Sequence, residues 1–178
     1  MLNALPSKAL GFTIIELMVG IVIFAIAMAM GVPSYRVWMQ NTQIRNAAES
    51  IQNGLQLARS EAVKSNANVF FRLDANSGWT IASGLPTAPS VISTRSGNEG
   101  SRDITRSVQP LGATIITYGN LGTVVANQDA PVTASLTQIN LSSPLANTRI
   151  LRVNIGIGGN AKMCDPDPGR NGTVGGCQ

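Results

Sequence analysis

Histidine is absent from this 178-residue sequence, which removes the commonest general base and the commonest metal-binding side chain together. Charge is sparse: 13 Lys and Arg stand against nine Asp and Glu, and charged residues make up 12% of the chain. The resulting net charge of +4 is modest, and beyond Lys8 its basic residues are spread from Arg36 to Arg170. Such a balance permits contact with nucleic acid or an anionic surface without specifying either. Cysteine is limited to Cys164 and Cys177, and two thiols without histidine argue against a structural zinc site. With no paired carboxylates in an evident cleft and no activated nucleophile, the chain does not read as an enzyme and calls for no cofactor.

What the sequence does contain is one long apolar run. It extends from Phe12 to Val32, close to the ~20 residues a helix needs to cross a bilayer. A single ionisable side chain, Glu16, lies inside it. Placing a charge in such a span costs ~3 kcal/mol or more, so it reads as functional and in need of a partner. Tyr35 and Trp38 follow just beyond the run, where amphipathic rings favour a membrane interface.

The stretch Lys8-Ala9-Leu10-Gly11-Phe12-Thr13-Ile14-Ile15-Glu16 resembles the class III signal of type IV pilins and type II secretion pseudopilins. There a short basic leader ends in glycine and is followed by Phe-Thr-x-x-Glu. The resemblance implies cleavage between Gly11 and Phe12 by a membrane prepilin peptidase, N-methylation at Phe12, and retention of the apolar segment, which an ordinary secretory signal loses. It also gives Glu16 an assembly role that elementary electrostatics supports. In a filament of side-by-side apolar helices, the amino group of Phe12 sits in a low-dielectric core, where a neighbouring carboxylate is the cheapest counter-charge.

Beyond Val32, Pro33 is expected to kink or loosen the helix. The helical period nevertheless continues: Ile44, Ala47, Ala48, Ile51, Leu55, Ala58 and Ala62 recur at spacings of three and four, tracing one apolar stripe. One helix from Phe12 to about Lys64 is predicted, ~80 Å long at ~1.5 Å per residue. Its first half faces lipid or filament neighbours and its second half packs on a head of roughly 110 residues, the size of one domain. After Ser65 short alternating runs predict strands at Val69–Leu73, Trp79–Ala82, Ile104–Val108, Ala113–Tyr118, Thr123–Ala126, Thr133–Leu141 and Arg149–Ile157. Ser83 to Gly100, rich in Ser, Pro, Gly and Thr, reads as a loop or a variable crossing. Two short sheets or one bent sheet should pack on the helix, giving an α+β fold.

The segment between Cys164 and Cys177 is rich in Pro and Gly and too poor in apolar side chains to fold by burial. In an exported compartment a disulfide is the first reading, worth about 3 kcal/mol; free or metal-binding thiols are the rival. Asp165 and Asp167 suggest a calcium pair or, more simply, a rigid exposed turn. Gly156-Ile157-Gly158-Gly159 lacks what a phosphate loop requires after it. The sequons at Asn140 and Asn171 carry little weight.

The run Asn46 to Lys64, containing Ala58-Arg59-Ser60-Glu61-Ala62, together with Val69–Trp79 and Arg149–Pro166, resembles GspH/FimT-type minor pilins. That resemblance implies a type IV pilin fold and partners among other major and minor pilins, prepilin peptidase and an inner-membrane assembly platform. Three roles occur in the group. FimU-like members prime assembly and join a tip complex to the shaft, FimT-like members bind DNA for natural transformation, and GspH-like members belong to the type II secretion pseudopilus. DNA-binding members carry Gly-Arg-x-Arg where this chain has Gly159-Asn160-Ala161-Lys162. One cation is missing and the other is a lysine, which lacks the guanidinium fork. Lys162 with Arg170 is left as a weak phosphate contact, and the FimU-like role is favoured over DNA binding. The expected organisation is a leader at 1–11, a transmembrane and assembly helix at 12–35, an amphipathic half-helix at 36–64 and a β-rich head at 65–178. The expected location is the bacterial inner membrane, head in the periplasm, before assembly and the cell-surface pilus afterwards.

Overall fold

The computed structural model describes residues 11–129, 131–170 and 175–177. Leader residues 1–10 and the sequon at Asn171 lie outside the described residues. The chain forms two compact units, Met1–Arg36 and Val37–Gln178. One helix, α1 at Ile14–Ser65, contributes to both and contains Pro33. Proline removes a single backbone donor from the ladder, and here that loss does not end the helix.

In the first unit every side chain described between residues 11 and 36 is exposed. Among the described residues of its own unit, the apolar run therefore finds no cover.

The second unit is built on the predicted stripe. Ile44, Ala47, Ala48, Ile51, Leu55, Ala58 and Ala62 are completely buried, which is what a three-and-four spacing produces when one face of a helix is covered. Two antiparallel sheets supply the cover. The first runs in the order β3-β2-β1-β5-β6 and the second β4-β7-β8-β9, with β1 at Val69–Leu73, β2 at Trp79–Leu85, β3 at Ala88–Arg95, β4 at Thr105–Gln109, β5 at Ile115–Tyr118, β6 at Val124–Val125, β7 at Gln138–Ser142, β8 at Leu151–Ile155 and β9 at Ala161–Cys164. One core joins helix and sheets, with Phe71, Ile81, Ile116 and Tyr118 from the first sheet and Ile139, Leu141, Val153 and Ile155 from the second.

The predicted hairpin forms with Phe71 opposite Ile81, closed by Asp74 N–H to Gly78 O (2.8 Å) and Gly78 N–H to Ala75 O (3.0 Å). Gly54 of α1 lies under it. A Cβ there would stand 2.9 Å from the Phe71 ring and 3.0 Å from the Trp79 ring, and Trp79 Nε1 donates to Ser50 Oγ (3.0 Å).

The reading of Ser83–Gly100 as a loop is corrected, because Ala88–Arg95 is a strand. It is an edge strand with most residues exposed, so neither face imposes alternation, and Pro89 is tolerated where no ladder donor is needed. Strand β9 was likewise not delimited by the sequence pattern. The strand predicted from Thr133 begins only at Gln138, since the preceding residues spend their backbone groups elsewhere: Leu136 N–H on Ile115 O and Thr137 N–H on Gln109 O, both 2.9 Å. Buried Asn127 pins this crossing segment, its Nδ2 donating to Ile115 O (3.2 Å) and Thr133 O (3.1 Å) while its Oδ1 accepts from Thr117 Oγ1 (3.0 Å).

Candidate assembly sites: the helix start and the C-terminal staple

The helix begins with a side-chain cap. Thr13 Oγ1 accepts the backbone N–H of Glu16 at 3.3 Å, satisfying one of the donors a helix start leaves open, while Thr13 O accepts the first intrahelical bond from Leu17 N–H at 3.2 Å. Glu16 lies in the first turn, where a carboxylate also complements the positive end of the helix dipole. Phe12, 84% exposed, and Gly11 directly precede the helix. Gly11, Phe12 and Glu16 are thus adjacent and accessible at one helix terminus. Gly20 and Gly31 face open space, with nothing within 4 Å of an added Cβ.

At the other end of the chain, Cys164 and Cys177 form a disulfide with a Cα–Cα distance of 4.9 Å, which removes the rival reading of free or metal-binding thiols. Asp165 bridges Gly176 in parallel, through Asp165 N–H to Gly175 O (2.8 Å) and Cys177 N–H to Asp165 O (3.0 Å). The two aspartates act as turn formers: Asp165 Oδ1 accepts from Asp167 N–H (3.1 Å) and Asp167 Oδ1 from Gly169 N–H (2.9 Å). Among the described residues no group of three or more His, Cys, Asp or Glu is placed to hold a metal. Lys162 is exposed on β9 opposite Asn154. The side chain of Arg170 lies outside the described residues, so the expected pairing of Lys162 with Arg170 has no geometry here.

One residue outside the apolar stripe is a clamp. Arg59 Nε donates to Gly122 O at 2.9 Å, tying α1 to the β5–β6 turn. That turn meets the β8–β9 turn so closely that a Cβ on Gly159 would stand 2.2 Å from Gly122 O, and Val124 N–H donates to Ile157 O (3.2 Å) across the same junction. Gly122 and Gly159 have φ of 72° and 80°, a region glycine adopts at little cost. The only advance signal was an arginine inside the Ala58–Ala62 run. Tyr118, completely buried beside this junction, has its phenol pushed well above the ordinary value by burial, against a smaller opposing effect of Arg59.

Residues 47–159, more than half of the chain, match the family model described as type II transport protein GspH. The chain belongs to the GspH family. Residues 6–32 match the prokaryotic N-terminal methylation motif, and together the two matches make the chain a pilin-like subunit, of a type IV pilus or of a type II secretion pseudopilus. No curated protein matches it significantly. Two solved structures share the fold. The Pseudomonas aeruginosa type IV minor pilin FimU is 16% identical with a TM-score of 0.54, covering 71% of this chain and 91% of FimU. The Vibrio cholerae type II secretion minor pseudopilin EpsH is 13% identical with a TM-score of 0.52, covering 70% of this chain and 98% of EpsH.

Proposed function

We propose that this chain is a minor pilin of a type IV pilus that helps to prime assembly and links tip components to the shaft. The observation that carries the reading is the first half of α1: an apolar helix exposed along its whole described length, with one carboxylate beside its start. Such a surface requires a non-aqueous partner, first lipid and then the helices of other pilins. On this reading residues 1–11 are a leader removed by prepilin peptidase between Gly11 and Phe12, and Phe12 is N-methylated. Residues 12–35 are the membrane and assembly segment, 36–64 the amphipathic half-helix and 65–178 the head. The protein waits in the inner membrane, head in the periplasm, engages the assembly platform, and moves to the cell-surface pilus. It has no catalytic role and is itself an enzyme's substrate. The structural role is favoured over DNA binding because β9 presents Lys162 where a pair of arginines would be needed to fork phosphates.

The test is Glu16→Ala. Cleavage and membrane insertion should persist, since a neutral side chain is cheaper in lipid, while the amount of subunit in sheared pili should fall at least tenfold. Unchanged incorporation would sink the assembly role of Glu16, and loss only of secreted enzymes with intact pili would reassign the chain to type II secretion.

A further inference from the structure

The second sheet has one face in the core and one outside it. Ile139, Leu141, Val153 and Ile155 belong to the core. Side chains alternate along a strand, so the residues between them make up the other face, and the register sets them in rows. Ser107, Asn140, Arg152 and Cys164 stand opposite one another across β4, β7, β8 and β9. Gln109, Gln138, Asn154 and Lys162 form the next row. No side chain in either row is aromatic, and the four strands contain neither Asp nor Glu. Arg152 is placed by its neighbour: its Nε donates to Asn140 Oδ1 at 2.8 Å. Asn140 is placed in turn, its Nδ2 donating to Ser107 Oγ and its Oδ1 accepting from Gln138 Nε2, both at 3.3 Å. Neither Arg152 nor Lys162 makes an ion pair among the described residues. As diagonal neighbours on adjacent strands they lie roughly 7–8 Å apart. Beside β9 the face ends in a cleft of about 470 Å³, lined in part by Asn154, Asn160 and Lys162.

We propose that this outer face binds an acidic polysaccharide, a sugar polymer whose residues carry carboxylates. The composition of the rows selects that occupant. Amides and hydroxyls both donate and accept, which suits sugar hydroxyls, while two cations without a nearby acid on the face suit carboxylates, the arginine through its planar fork. Neighbouring strands lie ~4.8 Å apart, close to the length of one sugar in an extended polysaccharide, so a chain laid across the strands meets a fresh polar side chain at each residue. Other macromolecules fit less well. A specific protein interface is centred on apolar and aromatic side chains, and single-stranded nucleic acid needs aromatic platforms for its bases; neither row supplies them. Duplex DNA carries one charge per ~1.7 Å, far denser than two cations among amides. The proposal holds whether the subunit serves a type IV pilus or a type II secretion pseudopilus.

The full chain in a nonionic detergent, titrated by calorimetry with an alginate hexamer, with neutral maltohexaose and with a short DNA duplex, tests it. Alginate should bind about tenfold or more tighter than maltohexaose, the effect of charge-assisted hydrogen bonds. Arg152→Gln and Lys162→Gln should each weaken alginate binding about fivefold or more and reduce its slope against log salt. Lys162 is exposed, so its variant keeps the test readable if loss of the Arg152 contact disturbs the sheet. Gln138→Ala, which removes a neutral amide, should weaken binding about threefold with the salt slope unchanged. Arg102→Gln, exposed and outside the sheet, should leave binding intact. Equal affinity for the two hexamers, or no measurable alginate binding, would overturn the proposal. So would duplex DNA bound more tightly than alginate at the same salt, which would make this a nucleic-acid face. An Arg102→Gln loss as large as that of Arg152→Gln would overturn it as well, since the attraction would then belong to net charge.

Discussion

The two halves of α1 share a backbone conformation and differ in where their apolar side chains go. In residues 14–36 the side chains described are exposed throughout, Ile14 at 81% and Leu17 at 59%, whereas Ile44, Ile51 and Leu55 in the second half are at 0%. The second half carries a narrow stripe with polar flanks, and its own sheets cover that stripe. The first half is apolar on all sides, so no single face could be covered by one small head, and its burial must come from other molecules. Apolar content alone does not distinguish an internal core from an assembly surface; its angular distribution around the helix does.

The sharpest way to break this contrast acts at the start of the first half. Gly11→Val places a branched side chain beside the proposed scissile bond and should abolish cleavage, leaving an intact-mass product that still begins with the leader; a species starting at Phe12 would defeat the assignment. Next, matched truncations compare the halves directly. Leu55→Ala should lower the unfolding free energy of the second unit by about 2–5 kcal/mol, the usual cost of emptying a buried leucine site, while Leu17→Ala in the same detergent should leave that unfolding curve unmoved. Equal shifts in chemical denaturation would erase the distinction between internal and external burial.

The staple gives a smaller effect. Cys164→Ser with Cys177→Ser removes a cross-link spanning 13 residues and should cost about 3 kcal/mol at most, read by denaturation with and without reductant. The smallest effect concerns Asp129. Burial pushes its carboxyl upward, but hydrogen bonds from the Thr133 hydroxyl and N–H outweigh that and hold it below its ordinary value. A depressed carboxylate contributes stability that is present above its unfolded pKa, about 3.9, and lost as the pH falls through the lower folded value. Asp129→Asn should therefore be slightly less stable than the unaltered chain at pH 6, with the difference vanishing toward pH 2. A gap that persists in acid would show that the contact acts through shape alone.

Much of this was legible in advance because burial leaves a periodic trace. The stripe from Ile44 to Ala62, the Val69–Ala82 hairpin and the disulfide were all readable from residue spacing and composition. The edge strand β3 was not, since a strand covered on neither face has no reason to alternate and its Ser, Pro and Thr content reads as loop. Arg59 was missed for a different reason. Its role depends on two glycine turns more than sixty residues further along meeting each other, and nothing local to the helix announces that encounter. The helix start was legible as a motif, and its geometry adds the Thr13 cap and the exposure of Phe12.

The hydrogen bonds that α1 makes to the sheets have a mechanical consequence. Ser50 is joined to Trp79, Gln52 to Ala161 O and Arg59 to Gly122 O, and the apolar stripe contacts both sheets along the same stretch. A pull along the helix axis, applied at residue 37, therefore loads these links side by side rather than one after another. Separating the helix from the sheets demands that the row slip at once, so tension transmitted along α1 is shared across the second unit rather than unzipping it from one end.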